Sequence, residues 1–143
     1  MKVCFDTSVL VAALLQQHPH HAVAFPRLRA VHEGRDQGMI TAHALAELYA
    51  TLTALPLKPR FSPADVQRLM SRSILPHFTV ISLDSADYEQ ALNLAVDRQV
   101  TSGAIYDALH VVGARKMGCE QLLTLNLKHF RMLVPGDGLI VGP

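Results

Sequence analysis

The hydrophobic and polar positions of the chain form short apolar runs that alternate with longer segments of helical spacing. The apolar runs predict five strands, at residues 3–5, 39–40, 78–83, 121–125 and 139–141; the first is expected to be buried and the last to lie at an edge of the sheet. The other segments predict helices at about residues 8–14, 22–31, 42–55, 63–74 and 103–116. A further helix is predicted to begin at about residue 85 and to end before a turn at residues 100–103. Because strands alternate with helices, the predicted fold class is α/β, with a central, mainly parallel sheet flanked by helices.

Capping residues mark where several of these helices begin and end. Thr7 or Ser8 is expected to cap the first helix, since short hydroxyl side chains accept from free backbone N–H groups. Ser62, followed by a proline and then Asp65, is typical of a helix start. Gly118 is a typical stop for the helix that ends near Lys116.

Length and composition indicate one folded domain over residues 1–143. Half of the residues are hydrophobic and 17% are charged, which is typical of a packed core and not of disorder. The longest apolar run, residues 9–15, is too short to span a bilayer, and Asp6 interrupts the N-terminal run, so neither a membrane anchor nor a signal peptide is expected. A cytoplasmic protein is expected. The two cysteines, Cys4 and Cys119, are too few for a disulfide scaffold or a zinc site.

Three carboxylates stand alone in segments that are otherwise apolar. Asp6 follows the first predicted strand, Glu47 is the only acidic or basic residue of the third predicted helix, and Asp107 is the only one at residues 100–112. A buried carboxylate is costly unless it is paired, hydrogen-bonded or bound to a metal, and no lysine or arginine accompanies any of the three. Each acid taken alone is explained as a helix cap or a partly exposed residue. The three together favour a metal site.

The predicted architecture gives these acids a reason to meet. Ligands of open α/β sheets bind at the carboxyl ends of the strands, where Asp6 lies. Asp107 lies near the start of its helix, and Glu47 lies about one turn into its own. Oxygen ligands without a cysteine or histidine set favour Mg²⁺ or Mn²⁺ over zinc.

Around these acids the sequence resembles the PIN-domain nucleases, and especially the VapC-type toxins of bacterial toxin–antitoxin pairs. The likeness extends over nearly the whole chain. It depends on four segments in a fixed order: FDTSVL at 5–10, HALAELY at 43–49, IYDAL at 105–109 and LTLNLKHF at 123–130. Each segment alone is weakly specific, and their order and spacing together are considerably more so.

The resemblance implies a PIN-like fold, an RNA substrate, an antitoxin protein as inhibitor and a homodimer. It implies that Asp6, Glu47 and Asp107 hold Mg²⁺ or Mn²⁺, and that phosphodiester bonds are hydrolysed by water activated by the ion. Many members carry a further acid after the fourth strand. Here that region offers Thr124, Asn126 and His129 instead, and Asn126 is taken as the substitute. Because an amide contributes no charge, this departure calls a second metal ion into question.

Several polar residues near the acids are candidates for supporting roles. Thr7, Ser8 and Thr124 are candidate hydrogen-bond donors to the carboxylates. His43 lies four residues before Glu47 on the same helix face, so it either hydrogen-bonds that carboxylate or is a satisfied, partly buried histidine.

Two further groups have less specific interpretations. The loop histidines His18, His20 and His21 are more typical of solvent exposure or capping than of a metal site. The basic residues either form a phosphate-binding rim or belong to solvated helix faces; they are Lys58, Arg60, Arg68, Arg72, Lys128 and Arg131. Net charge is +1, and setting aside the three candidate metal ligands leaves nine acidic against 13 basic residues, or +4. Charge therefore neither proves nor excludes an RNA partner.

Three other functions also place an acid after the first strand or share the PIN-like fold. A haloacid-dehalogenase-type phosphatase needs a second acid two residues after the first, and Ser8 stands there. A phosphoacceptor receiver domain needs an acidic pair at the first strand, where only Asp6 is present. An inactive PIN-like binding or scaffold protein remains open because of Asn126.

Overall fold

The computed structural model describes residues 1–143 and contains one sheet of five strands. The strands are β1 (Lys2–Phe5), β2 (Gln37–Thr41), β3 (Phe78–Ile81), β4 (Gln121–Leu123) and β5 (Ile140–Val141). Their spatial order is β3-β2-β1-β4-β5, and every neighbouring pair is parallel. The α/β prediction is confirmed, and the sheet is wholly parallel. The short strand β5 lies at an edge, as predicted.

Seven helices accompany the sheet. They are α1 (Thr7–Leu14), α2 (His21–His32), α3 (Ala42–Ala54), α4 (Pro63–Ser73), α5 (Ser85–Asp97), α6 (Ala104–Lys116) and α7 (Leu127–Leu133). None of them is long and apolar enough to cross a membrane. The first six correspond to the predicted helices within a few residues at each end.

Helix α7 is the element that the sequence pattern did not predict. It has only seven residues, and its buried side chains are Phe130 and Leu133. One pair of apolar residues three positions apart is too short a pattern to predict a helix. Strand β4, predicted to continue to residue 125, ends at Leu123. Beyond that point the hydroxyl of Thr124 donates to Asp6, and the chain turns into α7.

Asp6, and not Thr7 or Ser8, occupies the N-cap position of α1. Its side chain makes no capping bond there, because the carboxylate accepts from Ser8 and Thr124. The predicted start of α4 is confirmed: Ser62 accepts from the N–H of Asp65, and Asp65 accepts from the N–H of Ser62. An ordinary N-cap side chain accepts from a backbone N–H group of its own helix. The Asp6 carboxylate instead accepts from two side-chain hydroxyl groups, which distinguishes it from such a cap.

The core has two layers, one on each side of the sheet. Side chains alternate along β1, so Val3 and Phe5 belong to one hydrophobic cluster and Cys4 belongs to the other. Helices α1, α2, α3 and α4 contribute to the first layer, and α5, α6 and α7 contribute to the second. Both cysteines are free. This double covering is what an all-parallel sheet requires.

Gly113 sets how closely α6 approaches the sheet. A Cβ atom placed on it would lie 2.7 Å from Cγ2 of Thr41, the last residue of β2. We therefore expect Gly113→Ala to lower the free energy of unfolding by about 1–3 kcal/mol through overpacking. Gly138→Ala is the matched control, since nothing lies within 4 Å of its added Cβ. Urea denaturation of both variants is the measurement, and equal midpoints would contradict the close approach.

Candidate active site

The candidate site lies at the carboxyl ends of three adjacent central strands. Asp6 directly follows β1, α3 with Glu47 follows β2, and Thr124 and Asn126 follow β4. The order β2-β1-β4 places these ends side by side. The chain winds outward from β1 in both directions, so this edge is the switch point at which open α/β sheets bind ligands.

One open cavity of about 460 Å³ brings the sequence-predicted acids together. Asp6, Glu47 and Asp107 all line it, along with Ser8 and Asn126. The three acids are separated by 40 or more residues in sequence and come from three different helices or helix starts. Their convergence leaves three carboxylates facing the same volume.

Asp6 is buried and is oriented by two hydroxyl groups. Ser8 Oγ donates to its Oδ2 at 2.6 Å, and Thr124 Oγ1 donates to the same oxygen at 2.8 Å. Thr124 in turn accepts from the N–H of Asn126 at 2.9 Å. With Oδ2 engaged, Oδ1 is the oxygen left for a ligand. The expected donor roles of Ser8 and Thr124 agree with these contacts.

Glu47 is held by a fully buried histidine, His110. The Nε2 atom of His110 lies 2.8 Å from Oε1 of Glu47, and since a carboxylate only accepts, Nε2 carries the proton. The same Nε2 lies 3.6 Å from Oδ1 of Asp6. The other ring nitrogen, Nδ1, is 3.0 Å from Oγ1 of Thr41, which also caps α3 by accepting from the N–H of Ala44.

His110 therefore stands between two of the three acids. Burial alone lowers the pKa of His110, but the hydrogen bond to Glu47 and the charge of Asp6 outweigh it and hold the pKa above its ordinary value. The sequence carries one weak signal for His110. His110 lies three residues after Asp107, on the same helix face, in an otherwise apolar run.

Asp107 is the carboxylate without a partner. Its side chain is half-buried and makes no hydrogen bond or ion pair within the protein. Burial and the negative charges of Asp6 and Glu47 raise the pKa of Asp107 to about 6, although His110 and His129 act in the opposite direction. A carboxylate held near other carboxylates in this way is poised to bind either a proton or a cation.

Two predicted supporting contacts are absent. The hydroxyl of Thr7 is buried without a hydrogen-bond partner, so the expected donation from Thr7 to a carboxylate is wrong. The Nε2 atom of His43 lies 3.4 Å from Oε1 of Glu47 but does not hydrogen-bond to it. The His43 ring instead stacks on Tyr106, with centroids 4.6 Å apart. Of the two alternatives for His43, the hydrogen bond to Glu47 is made by His110 instead, and His43 is partly buried with its Nε2 atom unsatisfied.

The loop histidines lie closer to the acids than their sequence context indicated. His18 and His20 line the same cavity as Asp6 and Glu47. The Nδ1 atom of His18 accepts from the backbone N–H of His20 at 3.0 Å, which fixes the turn between α1 and α2. Solvent exposure is confirmed for His20, and both residues lie at the cavity that the acids share.

The donor set fits a hard divalent cation in an open site. No three histidine, cysteine, aspartate or glutamate side chains are already gathered closely enough to hold a metal ion, so the acids form a cleft and not a closed cage. Mg²⁺ keeps several waters and is commonly bound through one or two carboxylates, which an open acidic cavity satisfies. Two chemical observations favour a cation here: Oδ1 of Asp6 accepts no hydrogen bond, and Asp107 has no partner within the protein.

Comparison with known sequences gives a consistent result. The profile of the family described as PIN domain matches residues 3–132 of the chain. The chain is 35% identical over 124 residues to "Ribonuclease VapC40" of Mycobacterium tuberculosis, which covers 86% of this chain and 85% of the relative. It is 30% identical over 115 residues to "Ribonuclease VapC27" of the same organism, covering 80% and 78%.

Comparison with solved structures supports the same fold. A chain of the VapBC2 structure from Rickettsia felis, solved with a promoter DNA fragment, matches with a TM-score of 0.70 at 18% identity, covering 99% of this chain and 98% of that one. VapC20 of Mycobacterium tuberculosis, described as a sarcin–ricin loop cleaving toxin, matches with a TM-score of 0.65 at 21% identity, covering 84% and 86%.

Proposed function

Because the chain belongs to the PIN-domain family, we propose that it is a divalent-metal-dependent endoribonuclease and the toxin of a toxin–antitoxin pair. One observation supports the activity above all others. Asp6, Glu47 and Asp107, which are far apart in sequence, line one cavity at the switch point of the sheet. The ribonuclease names of relatives with 35% and 30% identity support RNA as the substrate.

In this proposal Asp6, Glu47 and Asp107 hold Mg²⁺ or Mn²⁺, which supplies charge to polarise the scissile phosphate and to activate water. Ser8 and Thr124 fix the Asp6 carboxylate by two hydrogen bonds, so its free oxygen keeps one direction. His110 does the same for Glu47. Donors that orient acidic ligands in this way govern the affinity and geometry of a metal site.

Asp107 is the carboxylate best suited to take the proton of the attacking water. It is the one of the three acids whose carboxylate makes no hydrogen bond or ion pair within the protein, so an oxygen of it stays free to accept a proton. The side chain of Asn126 lines the cavity without adding negative charge. Asn126 is proposed to orient water or phosphate through its amide, in place of a fourth acid.

The proposed partners are an RNA substrate, a cognate antitoxin and a second copy of the chain. Structures that share the fold come from toxin–antitoxin complexes, which supports the antitoxin. The exposed apolar side chains Tyr49 and Leu75 line one surface cavity between α3 and α4 and support a homodimer through these helices. A toxin that acts on RNA is proposed to work in the cytoplasm.

The test is cleavage of a fluorescent RNA pool by purified protein with Mg²⁺, with Mn²⁺ and with EDTA. We expect cleavage with either ion, products with 5′-phosphate and 3′-hydroxyl ends, and no cleavage in EDTA. Glu47→Gln keeps the shape of the side chain and removes its charge, and we expect it to reduce the cleavage rate at least about 100-fold, or about 2.7 kcal/mol in the barrier. Equal cleavage under all these conditions would reject the proposal.

The inactive scaffold is the alternative that needs its own measurement. Calorimetric titration of Mn²⁺ into the protein distinguishes the two. A nuclease site gives heat that disappears in Glu47→Gln, whereas a scaffold without a metal site gives the same trace for both proteins.

A further inference from the structure

A second cavity, of about 660 Å³, lies beside the candidate active site and is lined by basic residues. We call it the basic groove, and it lies between the end of α1, the loop at residues 55–62 and α4. Its charged lining consists of Lys58, Arg60, Arg68 and Arg72 with a single acid, Asp65. Lys128 and Arg131, also predicted as rim residues, lie on α7 and do not line it.

Positive charge is concentrated in this groove while the rest of the protein is negative. Four of the 13 basic residues and one of the 12 acidic residues line it. The remaining chain therefore carries nine basic against eleven acidic residues. An uneven distribution of this kind directs a polyanion to one surface even when the net charge is near zero.

Three of the four cations of the groove have no partner within the protein, and the fourth, Arg68, is paired with Asp65. Eight of the 13 lysine and arginine side chains are held by hydrogen bonds or ion pairs to other residues. The five without such a contact are Lys58, Arg60, Arg72, Lys128 and Arg131. Three of these five line the groove. Donors left free in one concave surface favour an external anion.

Helix α1 connects the groove to the acidic cavity. Ser8 and Val11 line the acidic cavity, and Leu14, one turn further on the same side of α1, lines the groove. Six residues of helix correspond to about 9 Å, which an extended nucleic acid strand spans within a few nucleotides. After the helix the two linings remain adjacent, since Gln17 lines the groove and His18 lines the acidic cavity.

We propose that the basic groove is an RNA-binding subsite that holds backbone phosphates a few nucleotides from the bond that is cut. The inference rests on the proposed ribonuclease function and specifies where its substrate lies. Lys58, Arg60 and Arg72 bind the phosphates, and the partly buried Phe61 and Leu69 offer apolar surface to sugars or bases. Continuity with the acidic cavity favours an RNA strand over an acidic peptide as the occupant.

The test measures binding of a 5′-fluorescein RNA 12-mer of random sequence by anisotropy in EDTA, at 50 to 200 mM KCl. The groove variant is Arg60→Gln with Arg72→Gln. The control is Arg35→Gln with Arg115→Gln, which removes the same charge at the opposite end of the strands. We expect the groove variant to bind the RNA about tenfold more weakly than the wild type. The slope of log K against log salt should become less negative by about 1.4, since two phosphate contacts are lost. The control stays close to wild type.

Absence of RNA binding by the wild-type protein, or equal affinities and slopes for the two double variants, overturns the subsite. Equal RNA affinities and slopes reject the RNA subsite even if the groove variant binds a hexaglutamate peptide more weakly than the wild type. That combination would assign the groove to an acidic protein segment. Cleavage with Mn²⁺ is measured separately. If the wild-type protein cleaves RNA and the groove variant binds RNA normally, only the proposed subsite is rejected. If the wild-type protein cleaves no RNA, the proposed ribonuclease function is rejected.

Discussion

Asp107→Asn is expected to abolish RNA cleavage and, in the absence of metal, to make the protein more stable at neutral pH. Both effects come from one cause. The carboxylate lies in a cavity with Asp6 and Glu47, and burial with their charges raises the pKa of Asp107 to about 6. Removing its charge relieves repulsion in the folded state, and it removes the proposed metal ligand and base from the candidate active site. We expect a loss in cleavage rate on the order of 10³-fold, about 4 kcal/mol in the barrier.

The pH dependence of this stability difference has a definite sign. The folded protein holds the Asp107 proton up to about pH 6, while the unfolded chain releases it near its ordinary value of 3.8. The stability of the wild-type protein therefore falls as pH rises between these values, and the penalty is fully present above pH 6. The melting temperature of Asp107→Asn should exceed that of the wild type at pH 7.5 and approach it at pH 4.

Thermal melts in EDTA across this pH range, followed by melts with Mn²⁺, are the measurement. Mn²⁺ should raise the melting temperature of the wild type and leave that of Asp107→Asn nearly unchanged, since only a protein that binds the ion is stabilised by it. Glu89→Gln, an exposed change on α5, is the control and should follow the wild type in every condition. A variant less stable than wild type at pH 7.5 without metal would contradict the charge crowding.

The candidate acids could be predicted from sequence because each violates its local pattern. Asp6, Glu47 and Asp107 are charges in apolar segments, and the alternation of strands and helices supplies a common edge for them. The strand order could not be predicted, because it depends on which buried faces pack together. That order places the ends of β2, β1 and β4 side by side, and thereby brings Glu47 and Thr124 to Asp6.

His110 and the basic groove show why the remainder required coordinates. A histidine inside an apolar helix has the same sequence signature whether it fills core space or holds a carboxylate. Only the close approach of α6 to β2 at Gly113 places its ring between Thr41 and Glu47. In the sequence, Arg60 and Arg72 look the same as solvent-exposed arginines. Only the position of the loop at 55–62 beside α1 shows that they line one groove. Contacts between distant segments determine both features.

His110→Phe is expected to weaken Mn²⁺ binding about 10–100-fold, the range for residues that orient metal ligands. Phenylalanine fills the buried space but leaves Oε1 of Glu47 without its donor and the Thr41 hydroxyl without its contact. Each unsatisfied group costs about 1–3 kcal/mol, so the variant should also unfold more easily. His110→Gln offers an amide donor to Glu47 and should recover a large part of the Mn²⁺ affinity.

A role in positioning and a role in folding alone give different results. Leu133→Ala removes buried side-chain volume from α7 and should destabilise the protein by about 2–5 kcal/mol without touching the site. Calorimetric Mn²⁺ titration at a temperature where every variant is folded separates the two roles. Positioning predicts that affinity falls for His110→Phe, recovers for His110→Gln and is unchanged for Leu133→Ala. If affinity instead follows stability across the three variants, His110 supports the fold and does not orient Glu47.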